Sequence, residues 1–196
     1  MKLSSFSVPL GASGLVQFRK AVPEGRHLLR IGRDHLCARS RAFRLLTAHP
    51  LLLEDELDLF SAPNDAGHFA VGALTEGNGT VTPLSTAKSI RFAQDADVTE
   101  FAITIIDDYQ GHGLGRLMLG VLATHAVLNG ILELMALVHA ENDRMLNLLD
   151  ELDAKVEIKG KLEVEFWLPF SADPRHYPQS PAGDAFRIAY RVAKVT

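Results

Sequence analysis

A glycine-rich turn between a strand-like segment and a helix-like segment constrains this sequence more than any other feature. The stretch reads Ile103-Thr-Ile-Ile-Asp-Asp-Tyr-Gln-Gly-His-Gly-Leu-Gly-Arg116. A helix that begins directly after such a turn presents unpaired backbone N–H groups and the positive end of its dipole, which attract an anion. Glycines let a phosphate approach the backbone where a Cβ would obstruct it. The sequence therefore predicts a phosphate-binding loop between a strand and a helix.

The spacing of the glycines separates three kinds of phosphate loop. A P-loop requires Lys followed by Ser or Thr after its last glycine, and no such pair follows these glycines. A dinucleotide-binding loop requires a third glycine at the position of Arg116. The residues present follow the pattern Gln-x-x-Gly-x-Gly, with Gln110, Gly113 and Gly115 at its fixed positions.

This pattern resembles the coenzyme A loop of the GNAT (Gcn5-related) N-acetyltransferases, whose motif is Gln/Arg-x-x-Gly-x-Gly/Ala after a strand. Ile103 and Ile105 match the strand edge that pairs with the pantetheine arm in that family. Asn142 follows the next strand, where the family often has an Asn near the cofactor, and the helix after it is also similar.

The resemblance extends over residues 15 to 168 and is more specific in the second half. Three segments look like the bacterial branch that contains the Pat-type protein lysine acetyltransferases: Cys37–Leu46, Leu53–Phe60 and Val98–Ile105. The implied fold class is α+β, a GNAT fold. Its central sheet is mixed and mostly antiparallel, with a splayed parallel strand pair and flanking helices.

Hydrophobic periodicity agrees with that fold. Apolar residues at helical spacing from Leu114 to His125 predict a long helix that ends at Asn129-Gly130. Other predicted helices are two short ones within His27–His49, then Leu53–Phe60 and Asn142–Leu152. The predicted strands are Leu15–Val22, His68–Leu74, Ala87–Phe92, Val98–Ile106, Ile131–Val138, Lys155–Lys159 and Leu162–Leu168. Residues 1–168 form the expected domain. Residues 169–196 form a tail that packs either on the domain or on a second subunit, and the second alternative would make the protein a homodimer.

The resemblance implies acetyl-CoA as co-substrate and transfer of its acetyl group to a primary amine, either of a small molecule or of a protein lysine. A protonated amine must lose a proton before it attacks a thioester, and a nearby carboxylate is the natural base. Glu100 stands where Pat-type enzymes carry that base, although a structural pair with Arg91 is the alternative. A backbone N–H near Ile105 would polarise the thioester carbonyl. The expected cofactor-binding residues are Ile103, Ile105, Ile106, Gln110, Gly111, His112, Gly113, Leu114, Gly115, Arg116 and Asn142.

Two departures from the family pattern motivate a second hypothesis. Many members carry a Tyr in the helix after Asn142 that protonates the departing thiolate, and the comparable position here is Leu149. The usual Leu-Gly-Phe that follows is Leu152-Asp153-Ala154, where Asp tolerates the left-handed turn. The alternative is therefore a GNAT-like module that binds acyl-CoA as a sensor or interaction domain without turnover.

Composition excludes several other classes. A formal charge of −4 and a pI of about 6.0 argue against nucleic acid as the main partner. The apolar runs are shorter than the ~20 residues that span a bilayer. The histidines show no metal-ligand spacing, and a single cysteine, Cys37, favours a reducing cytoplasm. Asp107 and Asp108 are expected to face solvent or cap the turn. The N-terminal helices and the acidic Glu54-Asp55-Glu56 run are expected to help shape the acceptor site.

Overall fold

The computed structural model describes residues 5–11, 14–44, 67–77, 79–92, 97–158 and 160–194. The predicted helix Leu53–Phe60 and the acidic run within it lie outside these residues. The predicted helices within His27–His49 are described up to residue 44.

The described strands form one mixed sheet. They are β1 (Phe6–Pro9), β2 (Leu15–Lys20), β3 (His68–Gly77), β4 (Thr80–Arg91), β5 (Val98–Ile105), β6 (Glu133–His139), β7 (Lys155–Ile158) and β8 (Glu163–Pro169), in the spatial order β1-β2-β3-β4-β5-β6-β8-β7. The helices are α1 (Arg26–Asp34), α2 (Ala38–Arg44), α3 (Leu114–Leu128), α4 (Asp143–Asp150) and α5 (Pro181–Lys194).

Strands that follow each other along the chain pair antiparallel from β1 to β5. For β3, β4 and β5, the short connections between the strands predict this pairing. The chain then crosses through α3 to β6, which pairs parallel to β5. Strands β6 and β7 both pair antiparallel with β8. The predicted architecture, with one parallel pair in a mostly antiparallel sheet, is confirmed.

Helix α3 forms the centre of the core on one face of the sheet. Its residues from Leu117 to Ala126 are all buried, which fits a sequence that is apolar almost all round the helix. The helix ends as predicted, because Gly130 takes a left-handed conformation with φ of 74°. On the opposite face of the sheet, α1 packs against β4, where Gly32 lies close to the ring of Pro83.

The largest differences from the predicted strands are at β1 and β4. Strand β1 was not predicted because its four residues, Phe-Ser-Val-Pro, are too few to show periodicity. Strand β4 begins at Thr80 rather than at Ala87, because Pro83 interrupts the sequence pattern without interrupting the strand. Pro83 pairs with Leu74 where β3 and β4 shift register, and such an irregularity is a site at which a strand tolerates proline.

The tail of the chain forms α5, which packs against α3. Phe186 and Ala189 of α5 are buried, and the contact is closest at Gly120 of α3. A Cβ on Gly120 would lie 3.1 Å from the Ala189 Cβ and 3.1 Å from the Phe186 Cα. Glycine at position 120 therefore sets how closely the two helices approach.

We expect Gly120→Val to destabilise the protein by about 1–3 kcal/mol, the usual cost of overpacking. The matched control is Gly32→Ala in α1, where the nearest atoms to a new Cβ are 3.9 Å away. That substitution should stabilise the helix by about 0.5–1 kcal/mol, because alanine loses less backbone entropy than glycine on folding. Denaturant unfolding of both variants measures the two changes. Equal effects at the two positions would contradict the close approach of α3 and α5.

Candidate functional site

The candidate site begins where β5 and β6 separate. Their parallel register covers Val98, Thr99 and Glu100 of β5 and stops there. Directly after β5, the Ile106 N–H donates to the Leu84 carbonyl of β4 at 3.0 Å. Since N–H groups alternate sides along a strand, those of Ile103 and Ile105 point away from β4, toward the gap beside β6. This stretch of β5 therefore offers an edge for a ligand to pair with.

The glycine-rich loop continues directly from that edge. A short 3-10 turn, Asp107–Tyr109, leads to Gly111 and Gly113, which have φ of 83° and 85°. Residues with a Cβ rarely adopt these left-handed conformations, so the loop requires glycine at both positions. Gly113 is also the N-cap of α3 and has no side-chain oxygen with which to cap it. The N–H groups of the first turn are thus left for a ligand.

Edge and loop line one groove of about 300 Å³. Eight of the eleven predicted cofactor-binding residues line it: Ile103, Ile105, Gln110, Gly111, Gly113, Gly115, Arg116 and Asn142. The remaining lining residues were not predicted as site residues: Leu36, Ser40, Phe43, Thr104, Arg144, Met145, Asn147 and Leu148.

The other three predicted residues shape the loop without lining the groove. Ile106 and Leu114 have buried side chains that belong to the hydrophobic core. His112 is exposed, and its ring meets that of Tyr109 edge-on with centroids 6.4 Å apart. Loop residues can contact a ligand through the backbone as well, so side-chain position alone does not decide their role.

The side chain of Gln110 connects the loop to three other elements. Its Nε2 lies 3.0 Å from the Ile105 carbonyl, 2.9 Å from Asp107 Oδ1 and 3.2 Å from Ser40 Oγ of α2. Its Oε1 accepts a hydrogen bond from the Arg144 guanidinium of α4. One residue of the motif therefore ties β5, α2 and α4 together at the mouth of the groove.

Asp107 holds the start of α2. Its carboxylate accepts hydrogen bonds from the Cys37 N–H at 2.8 Å and from Ser40 Oγ at 2.6 Å. Partial burial alone would raise the pKa of Asp107, but these bonds and the charge of Arg144 outweigh it, so the pKa lies below its ordinary value. The expected role was to face solvent or to cap its own turn. Asp107 instead caps a helix that is distant in the sequence.

Arg116 lines the groove but is paired with a carboxylate. Its Nε donates to Glu151 Oε2 at 2.8 Å, and its Nη2 forms a salt bridge with the other carboxylate oxygen. Glu151 Oε2 also accepts the backbone N–H of Ala182 at 3.1 Å. Arg116 thereby joins the start of α3 to the start of α5.

Asn142 lines the groove and also caps α4. Its Oδ1 accepts the Met145 N–H at 3.3 Å. In the same helix, Leu148 lines the groove, whereas Leu149 is fully buried in the core. No tyrosine is among the residues that line the groove in the described part of the chain. Asp153 adopts the predicted left-handed turn with φ of 57°.

Glu100 lies on β5 outside the groove lining, half-buried and without Arg91 as its partner. The register pairs Glu100 with Ile90 and Arg91 with Thr99, so the Glu100 and Arg91 side chains lie on opposite faces of the sheet. Arg91 donates to the Asn129 carbonyl at 3.3 Å. Burial raises the pKa of Glu100, and the charge of Lys88, on the same face of β4, partly opposes that increase.

Sequence comparison relates part of the chain to an acetyltransferase. A region of 90 residues, which is 45% of this chain, is 37% identical to acetyltransferase Pat from Mycolicibacterium smegmatis. The matched region is 26% of that protein, so the chain spans about a quarter of its length. No protein-family model matches the chain.

Structure comparison covers most of the chain. The GNAT domain of S. lividans PAT superposes with a TM-score of 0.75 over 85% of this chain and 97% of that domain, at 19% identity. The chain has the GNAT fold. The Salmonella typhimurium protein YncA, solved with its cofactor acetyl-CoA, superposes with a TM-score of 0.59 at 19% identity, over 81% of this chain and 95% of YncA. The fold that the glycine motif predicted is confirmed.

None of the helices in the described residues has the length and apolar composition needed to cross a membrane. The same residues contain no group of three or more His, Cys, Asp or Glu side chains arranged to hold a metal ion.

We expect Asp107→Ala to destabilise the protein by about 1 kcal/mol, the typical cost of a lost cap. A carboxylate with a depressed pKa stabilises fully above its unfolded pKa of about 3.8, and this contribution falls as pH drops through the lower folded pKa. The difference from wild type should therefore stay constant from pH 5 to 8 and shrink in more acid solution. Denaturant titrations across this range measure it. Asp108→Ala, on the exposed neighbour, is the matched control, and an equal loss there would contradict the role of Asp107.

Proposed function

We propose that this GNAT domain is an acetyl-CoA-dependent N-acetyltransferase. The observation that carries the proposal is the edge of β5 beyond Glu100, which no described strand pairs with and which runs directly into a loop with two left-handed glycines. An amide-rich chain that ends in a pyrophosphate fits such a groove. Pat, to which 90 residues of the chain are similar, is named as an acetyltransferase, and YncA holds acetyl-CoA on the same fold.

The pantetheine arm of acetyl-CoA contains two amides and pairs with β5 much as a peptide adds to a sheet edge. The N–H groups of Ile103 and Ile105 point toward the gap and are the donors for this pairing. The pyrophosphate then lies against the loop N–H groups at the start of α3. The thioester end faces the point where β5 and β6 separate.

Transfer proceeds by direct attack in this proposal. The neutral amine attacks the thioester carbonyl carbon, its N–H proton passes to the Glu100 carboxylate through water, and the C–S bond breaks to release the thiolate. A β5 backbone N–H stabilises the oxyanion that forms between these steps. Water separates the acceptor from Glu100, because Glu100 does not line the groove. The acceptor is a primary amine, on a small molecule or on a protein lysine.

A second candidate function is an acyl-CoA-binding module without turnover. It is favoured by the burial of Leu149, which puts the residue at the usual tyrosine position into the core rather than the groove. A thiol has a pKa near 8.5, low enough to leave as thiolate without a side-chain acid. We therefore favour the enzyme.

Calorimetry with coenzyme A and thiol release from acetyl-CoA with a panel of amines test the proposal together. We expect binding by the wild-type chain and amine-dependent release. Glu100→Gln should lower turnover by about 10²–10⁴-fold, the usual contribution of a general base, with little change in coenzyme A affinity. Absence of coenzyme A binding would refute the site. Binding without release for any amine would favour the second candidate, and full activity of Glu100→Gln would exclude Glu100 as the base.

The charge of Lys88 gives a separate test of Glu100. Because that charge lowers the pKa of Glu100, its removal in Lys88→Met raises this pKa. The acid limb of the pH profile of kcat/KM should then move to higher pH with the same acceptor. Arg91→Met is the matched control, since it removes a cation from the same strand on the opposite face. An unmoved limb, or an equal movement in both variants, would count against Glu100 as the titrating base.

A further inference from the structure

Three arginines stand beside the groove, and their partners differ. Arg116 is bound to the Glu151 carboxylate. Arg39 of α2 donates to the Glu141 carbonyl at 3.3 Å, and its guanidinium lies 5.1 Å from the centroid of the Phe43 ring. Arg144 donates to Gln110. Of the three, Arg144 both lines the groove and has a neutral amide as its hydrogen-bond partner within the described part of the chain.

Asp107 is the carboxylate in this hydrogen-bond network, and it is not the hydrogen-bond partner of Arg144. Asp107 accepts from the Cys37 N–H, from Ser40 Oγ and from the Gln110 amide. Its oxygens are thus committed to α2 and to Gln110, while Arg144 bonds to the opposite end of the Gln110 amide. The Arg144 guanidinium, which carries five donors, retains donors for a further acceptor.

The position of Arg144 indicates which acceptor this is. Gln110 opens the glycine-rich loop, so a guanidinium at its Oε1 lies at the entrance of the predicted anion site. Guanidinium groups bind phosphate oxygens through paired, charge-assisted hydrogen bonds, which are about twice as strong as bonds to neutral acceptors. We propose that Arg144 is the side-chain ligand of the coenzyme A pyrophosphate and exchanges the Gln110 amide oxygen for it. This inference rests on the proposed function.

The exchange leaves the loop in place. Gln110 loses one bond, at Oε1, while Nε2 keeps its contacts with Ile105, Asp107 and Ser40. The proposed exchange thus breaks one side-chain hydrogen bond of Gln110 and leaves its bonds to β5 and α2 unchanged. The pyrophosphate then receives backbone N–H groups from the loop on one side and a guanidinium from α4 on the other.

Binding of three ligands to the full chain tests the inference. Coenzyme A carries the pyrophosphate and a 3′-phosphate, dephospho-coenzyme A keeps only the pyrophosphate, and pantetheine has neither. We expect Arg144→Gln to weaken the binding of coenzyme A and of dephospho-coenzyme A by the same factor, at least about tenfold. The binding of pantetheine should not change. Arg144→Lys should recover part of the loss, because lysine keeps the charge without the planar fork.

The matched control is Arg39→Gln, which removes the same charge at the groove mouth from a residue that does not line the groove. It should change each affinity by less than about twofold, since an exposed charge that does not contact the ligand contributes little. Equal weakening of all three ligands by Arg144→Gln would overturn the inference in favour of a purely structural bond to Gln110. Weaker binding of coenzyme A alone would assign Arg144 to the 3′-phosphate and would also overturn the inference.

The two proposals fail in different ways. If wild type binds coenzyme A and Arg144→Gln binds it equally well, only the role of Arg144 is lost. If wild type binds none of the three ligands, the proposed function fails, and this inference fails with it. Thermal unfolding of each variant establishes that the compared proteins are folded.

Discussion

The parallel pairing of β5 with β6 ends at Glu100, and the rest of the site depends on that ending. Had the two strands stayed paired, the backbone N–H groups of Ile103 and Ile105 would be hydrogen-bonded within the sheet. Their separation leaves these donors beside the groove. The groove is therefore a gap in the sheet rather than a cleft between domains.

Two sets of polar contacts at the start of α3 make this gap a defined site. At its start, Gln110 and Asp107 bind α2, a segment some seventy residues earlier in the chain. Arg116 and Glu151 connect the same helix start to α5 near the end of the chain. The middle of the chain carries the loop, and the two distant segments fix its position. These contacts join residues that lie between 31 and 70 positions apart in the sequence.

The sequence predicts the elements with local signals well. Glycine spacing located the loop, helical periodicity located α3, and alternation with turn residues located most strands. Strand β1 was too short to show a pattern, and Pro83 interrupted the strand pattern in the first half of β4. At the site, the motif and its flanks identified eight of the residues that line the groove. Ser40, Phe43 and Arg144 were missed because no local pattern marks them. Their roles arise from contacts across the fold.

Glu100 illustrates the same limit of prediction from sequence. Its position along β5 was evident from the sequence, but its neighbour was not, because register decides which face a side chain occupies. A shift of one residue would have exchanged Lys88 for a residue on the other face. The environment of this carboxylate was therefore set by the pairing of β4 with β5, which the sequence left open.

The bond between Gln110 and Arg144 also bears on how such sequences can diverge. The family motif accepts either Gln or Arg at the position of Gln110. An arginine there would present a second guanidinium to that of Arg144, and two cations at hydrogen-bond distance repel each other. The two positions are therefore not independent. Relatives with arginine at the first should carry a neutral or acidic residue at the second, so that the site keeps one cation, supplied either by the loop or by α4.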